Sequence, residues 1–235
     1  MANPYFQFKQ FTVWHDRCAM KVGTDAVLLG SWIHVENAQR LLDVGCGCGL
    51  IALMAAQRCP EGKIVAIEID PDAAQQAKEN VQSSPWADRI QVIQEDFAKF
   101  TDENKFDVIF SNPPYFANSL KCPNKERNKA RHTDTLDFRT LMSRVKELLT
   151  PDGEFSVVIP MDASASLKAE AISQKLYLSR EMHIHTKVGI PAKRTLLAFK
   201  KEMPESNVIP QQLTLETQAK VYTEEYKNMV NDFYL

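Results

Sequence analysis

Leu41-Leu42-Asp43-Val44-Gly45-Cys46-Gly47-Cys48-Gly49-Leu50 carries an apolar strand straight into a glycine-rich turn and then a helix. Glycines at Gly45, Gly47 and Gly49 let the backbone turn without a Cβ clash and approach a ligand closely. The helix behind the turn is expected to offer unpaired N–H groups. The next strand ends in Ile67-Glu68-Ile69-Asp70, placing Glu68 23 residues after Gly45. A carboxylate at such a strand tip accepts the two hydroxyls of a ribose. After a third strand come Glu95, Asp96 and Phe97. Asp96 is placed to bond an adenine amino group and Phe97 to cover its ring. A dinucleotide fingerprint, G-x-G-x-x-G, needs glycine where Leu50 stands. The pattern therefore favours adenosine carrying a charged tail over a dinucleotide.

The same alternation continues along the chain. Strands are expected at residues 40–44, 63–69, 90–94, 106–111, 154–159 and 195–200, with another around 178–185 that pairs with 195–200 at the sheet edge. Helical patterns fall at 50–59, 72–82, 136–149 and 163–175. This order predicts an α/β fold with a mostly parallel sheet and helices on both faces. The first 38 residues read as an extension of extended segments and a short helix at 24–32, for which Thr24 or Asp25 is a natural N-cap. Residues 39–235 then form the main body, ending in a peripheral strand and a terminal helix.

The expected strand 106–111 runs into Asn112-Pro113-Pro114-Tyr115. A residue that precedes proline is pushed out of the helical region, so Asn112 and Pro113 are held extended. The Asn112 amide oxygen and the Pro113 carbonyl then face outward as two acceptors, Pro114 stiffens the turn, and Tyr115 offers a stacking platform. Such a cup suits a planar group bearing NH2, an adenine edge or a primary amide. Downstream, Lys121, Lys125, Arg127, Lys129 and Arg131 crowd one short segment, a candidate phosphate clamp.

Composition sets bounds. The chain has 235 residues, 44% hydrophobic and 25% charged, with net charge −2, so nucleic-acid binding has to come from a local patch. No run of about 18 apolar residues is present, so no transmembrane helix is expected. The N-terminus lacks a signal-peptide layout. Five cysteines without C-x-x-C pairing argue against a disulfide framework or structural zinc and fit a reducing cytoplasm. His183 and His185 share a strand face but read as half-exposed strand residues, and no metal site is expected. Monomer is the default.

D-V-G-C-G-C-G, E-I-D, E-D-F and N-P-P-Y together resemble the class I S-adenosylmethionine-dependent methyltransferases that modify exocyclic amines. The resemblance implies a Rossmann-like, seven-stranded, mostly parallel sheet with an antiparallel edge strand, and S-adenosylmethionine as cofactor. It implies that Asp43 positions the methionine end, that Glu68 with neighbouring Ile69 holds the ribose, and that Asp96 and Phe97 hold the adenine. N-P-P-Y occurs also in glutamine N5-methyltransferases and in guanine N2-methyltransferases, and a binding protein with a vestigial fold is a further alternative. The whole set F-x-F-K-Q-F, M-K-V-G-T-D, N-P-P-Y, A-R-H and D-F-Y-L resembles the bacterial tRNA(Val) adenine-37 N6-methyltransferases. That family implies tRNA as partner, Lys21 and Thr24 close to the cofactor, and Arg127 and Arg131 close to the RNA. Cys46 and Cys48 depart from its usual small non-thiol residues, which raises the expectation of sensitivity to thiol reagents.

Overall fold

The computed structural model describes residues 3–113 and 136–235. Its elements follow in chain order: β1 (Tyr5–Gln7), β2 (Thr12–Trp14), α1 (Thr24–Trp32), β3 (Arg40–Val44), α2 (Leu50–Arg58), β4 (Lys63–Glu68), α3 (Pro71–Gln82), β5 (Ile90–Gln94) and β6 (Phe106–Ser111). Beyond residue 135 come α4 (Phe138–Leu148), β7 (Leu149–Pro160), α5 (Ser164–Ser173), β8 (Tyr177–Lys187), β9 (Arg194–Lys200), β10 (Gln211–Gln218), β11 (Val221–Tyr222) and α6 (Glu224–Val230).

Among the described residues, β1 and β2 form a separate hairpin and nine strands form one sheet in the order β11-β10-β8-β9-β7-β6-β3-β4-β5. β3, β4, β5, β6 and β7 are parallel. Their strand order reverses between β3 and β6, so a crevice opens there beyond the strand tips. The antiparallel β9 lies inside the sheet, between β7 and β8. This corrects the expectation of a seven-stranded sheet with β9 and β8 at its edge. β10 adds parallel to β8, and β11 folds back on β10. β10 has little apolar sequence beyond Leu213 and Leu215, so its place is set by backbone pairing rather than by a local pattern.

Alternate strand residues feed two cores, as the two-residue period of a strand requires. Leu41, Ile64, Ala66, Val108 and Phe110 point to one face, packed with α1, α2 and α3. Leu42, Val65, Ile67 and Ile109 point to the other, packed with α4 and α5. Phe8, Phe11 and Val13 of the N-terminal hairpin join the first core together with Tyr226 and Phe233 of the tail.

Helix starts are set by caps. Asp70 Oδ1 accepts from Ala73 N at 2.9 Å and Pro71 takes the first helical position, so α3 begins one residue before the expected start. Asp137 Oδ1 accepts from Thr140 N at 2.8 Å, moving the start of α4 to Phe138. α1 has no such cap. Its N-cap is Gly23, and Asp25 is turned instead to Arg194, whose Nε donates to Asp25 Oδ2 at 2.8 Å. The expected role of Thr24 or Asp25 as N-cap is therefore overturned by an ion pair across the fold.

Candidate active site

A cavity of about 390 Å³ lies beyond the tips of β3, β4, β5 and β6. Gly45, Gly47, Glu68, Ile69, Asp96, Phe97 and Pro113 all line it. Residues from four separate stretches of sequence thus meet around one cavity. Lys21, Thr24, Asp43, Gly49 and Asn112 do not themselves line it. Pro114, Tyr115, Lys121, Lys125, Arg127, Lys129 and Arg131 lie outside the described residues.

The glycine turn is left-handed at three points, Gly45 (φ 70°), Gly47 (φ 54°) and Gly49 (φ 80°). Its N–H groups are committed within the protein. Gly45 N and Cys46 N both donate to Ile67 O at 2.8 and 2.9 Å, and Gly47 N donates to Glu68 Oε2 at 2.8 Å. Ala52 N, in the first turn of α2, donates to Asp43 Oδ2 at 3.0 Å. The expected reserve of unpaired N–H groups is in this measure spent, which suits a ligand without a pyrophosphate. Gly49 is favoured by its left-handed φ of 80°, since a Cβ there would meet Ala77 Cβ only in ordinary contact at 3.4 Å.

Glu68 is held by two donors, Gly47 N on Oε2 and Asp70 N on Oε1 at 3.0 Å. Its orientation at the wall is therefore set before any ligand arrives. Asp96 Oδ1 accepts from Ala98 N at 2.9 Å in a tight turn that presents Phe97 to the cavity. Ser111 Oγ donates to Val44 O at 2.8 Å and ties the tips of β6 and β3 together at the crevice. Asn112 follows, half-buried, between two wall residues, Ser111 and Pro113.

Asp43, next to last in β3 and two residues before Gly45, is fully buried. Oδ2 is paired with Ala52 N, while Oδ1 has no partner among the described residues. Burial, with the Glu68 charge adding to it, pushes this carboxyl up to about 8 against the opposing Ala52 N–H. Its unpartnered Oδ1 calls for a donor or cationic group beside it, which would also favour loss of the carboxyl proton. S-adenosylmethionine fits this donor set: a ribose for Glu68, an adenine beside Asp96 and Phe97, and a cationic tail towards Asp43.

Several wall residues carry no motif in the sequence. Cys18, Ala19 and Met20 form a lip from the N-terminal extension, and Leu136, Asp137 and Thr140 close the side near α4. Only the helical pattern expected from residue 136 onward fell at that position. Cys18, Cys46 and Cys48 are buried. The Cys18 thiol is pushed up by its hydrogen bond with Cys48 and by burial, and that of Cys46 by burial. A buried thiol held neutral reacts slowly, so Cys46 is a poor source of the expected thiol-reagent sensitivity. His183 Nε2 lies 2.8 Å from Glu181 Oε1, and His185 Nδ1 lies 2.7 Å from Ile190 O, so both rings are engaged in the fold.

The sheet order and this crevice define a Rossmann-like fold, and the family match to it gives the class: a methyltransferase. The family model described as "Methyltransferase small domain" matches residues 18–182. A predicted O-methyltransferase from Agrobacterium tumefaciens superposes with TM-score 0.68 at 20% identity, covering 89% of this chain and 96% of that one, a likeness of fold. Full-length relatives narrow the class. A protein of Phocaeicola vulgatus named tRNA1(Val) (adenine(37)-N6)-methyltransferase is 54% identical over 100% of this chain and 99% of its own. Relatives with the same name from Bacteroides fragilis and Yersinia enterocolitica are 52% and 45% identical, over 100% and 98% of this chain and 99% and 92% of theirs. The chain belongs to the family of the tRNA1(Val) (adenine(37)-N6)-methyltransferases.

Proposed function

We propose that this chain uses S-adenosylmethionine to methylate the N6 amine of adenine 37 in tRNA1(Val). One observation carries the reading: a single cavity is lined both by Glu68 and Phe97 and by Ser111 and Pro113. The residues read as the nucleoside pocket thus share one cavity with Pro113 of the acceptor pair, and Asn112 lies between the two lining residues Ser111 and Pro113. The names of the full-length relatives supply the tRNA and the nucleotide.

The bound cofactor supplies a methyl group on a cationic sulfonium. Glu68, clamped by Gly47 and Asp70, takes the ribose, Ile69 flanks it, and Asp96 with Phe97 takes the adenine. Asp43 faces the charged tail. An aromatic amine is a weak nucleophile because its lone pair is delocalised into the ring. Asn112 Oδ1 and the Pro113 carbonyl accept its two hydrogens, with Pro114 stiffening the turn and Tyr115 stacking on the base, and so turn the lone pair outward. Orientation and electrostatics carry such a reaction without an acid–base pair. Lys21 and Thr24, adjoining the Cys18–Met20 lip, lie on the cofactor side. Lys121, Lys125, Arg127, Lys129 and Arg131 take the tRNA phosphates. The cytoplasm is the compartment that fits tRNA and four buried free cysteines.

The test is transfer of labelled methyl to unmodified tRNA and, separately, to a release-factor protein. Nuclease digestion and mass spectrometry should then find N6-methyladenosine. Label in protein alone, or full tRNA activity in Asn112→Ala, overturns the reading.

A further inference from the structure

The hairpin between β8 and β9 stands at the same end of the sheet as the cavity. β9 starts at Arg194 opposite Pro160, the last residue of β7, and β7 pairs with β6. Two strand spacings, about 10 Å, therefore separate the hairpin base from the strand that delivers Asn112. The tip is unusual for a solvent-facing turn. Val188 and Ile190 are 66% and 41% exposed on either side of Gly189, and Pro191 is exposed beside them. Lys187 and Lys193 flank this apolar tip, both exposed. Lys187, itself exposed, has a half-buried partner in Glu216 at 3.7 Å, a long one-sided contact that a phosphate can displace.

The tip is also braced. Ile190 N donates to Lys187 O at 3.2 Å, Val188 N donates to Glu216 O at 3.2 Å, and His185 Nδ1 donates to Ile190 O at 2.7 Å. At its base, Lys193 N donates to Ile184 O at 3.0 Å, and the Arg194–Asp25 pair ties it to α1. A stiff apolar knuckle with a cation on each arm has the chemistry of a wedge for unstacked nucleic acid. The apolar side chains enter between bases and the cations meet the adjoining phosphates. An adenine whose amine must reach a cavity has to leave its stack, and something has to hold the gap.

We infer that residues 187–193 form a second tRNA contact that wedges open the nucleotide loop beside Asn112. The inference rests on the tRNA reading above. It is tested on the full chain with unmodified transcribed tRNA(Val), using Lys187→Ala/Lys193→Ala and Val188→Ser/Ile190→Ser. Cofactor affinity and Tm, read first, should match wild type. The lysine pair should raise KM for tRNA about tenfold and flatten the salt dependence of tRNA binding by about one to two counterions. The apolar pair should lower kcat about tenfold with KM changed less than threefold. Wild-type kinetics and salt slope in both variants overturn the hairpin's role while leaving the enzyme's identity intact. Wild-type protein that binds tRNA but methylates none overturns the functional reading, and the salt slope of that binding then still judges the hairpin.

Discussion

The Asn80 carboxamide and the Trp14 peptide group bond each other twice: Trp14 N donates to Asn80 Oδ1 at 2.9 Å, and Asn80 Nδ2 donates to Trp14 O at 2.8 Å. The same Nδ2 donates to Cys48 O at 2.9 Å. One turn earlier on α3, Gln76 Oε1 accepts from Arg17 N at 3.0 Å and from the Cys18 thiol at 3.3 Å. Two buried amides thus lash the N-terminal segment, whose Cys18–Met20 lip closes the cavity, to α3 and to the glycine turn.

Replacing Asn80 by Ala leaves three backbone groups without their partner, the buried Cys48 carbonyl and the half-buried Trp14 N–H and carbonyl. A loss of about 2–4 kcal/mol in unfolding free energy is expected, together with weaker cofactor binding. Urea unfolding and calorimetric titration measure the two. Cofactor affinity unchanged in the folded variant would show that the lip stays shut without this tie.

Asp43 gives a pH signature. Its carboxyl is pushed from 3.8 to about 8 in the folded chain. Between those values the folded state holds a proton that the unfolded state has released. Stability from this group is therefore full below about pH 4 and falls as pH rises, by at most about 1.4 kcal/mol per unit, levelling above pH 8. Asp43→Asn removes the dependence. Compared with wild type in cofactor-free urea unfolding, the variant should gain relative stability between pH 5 and pH 8. A difference that stays constant across that range refutes the assignment.

Gly47→Ala separates backbone strain from cofactor space. Nothing lies within 4 Å of a Cβ placed there, but φ is +54°. The strain costs about 1–2 kcal/mol of stability. Because Gly47 lines the cavity, cofactor Kd should rise at least about tenfold. Equal affinity for the two proteins would place the ligand elsewhere along the crevice.

Asn112→Ala tests the acceptor cup. Losing one oriented partner of the reacting group costs about 10²–10³ in kcat, while cofactor Kd should stay within about threefold because Asn112 does not line the cavity. Single-turnover methylation of tRNA reads the first and titration the second. A large rise in Kd with kcat retained would move Asn112 from acceptor to cofactor binding.

The bounds of β3, β5 and β6, and of α1, are legible directly in the chain. Each is a short apolar run punctuated by Gly, Pro or polar residues, so its limits are written in its own neighbours. Gly45, Gly47, Glu68, Asp96, Phe97 and Pro113 were legible for the same reason: each sits at the tip of a strand or in the turn after it, and parallel strands bring their tips to one edge. What lay hidden needed distant partners. Cys18–Met20 reach the cavity through Gln76 and Asn80, residues some 60 positions away. Asp25 forgoes capping for Arg194, 169 residues on.

Sequence by itself determined the parallel sheet, the crevice at its tips and the residue types that line it, because strand period, turn chemistry and capping act over a few residues. Tertiary structure alone decided that the glycine turn's N–H groups go to Ile67 and Glu68, that β9 is interior and β10 extends the sheet, and that Asp43 is buried with one oxygen unpaired. Those outcomes depend on which groups are left without water once two cores close on the sheet, and no local pattern carries that information.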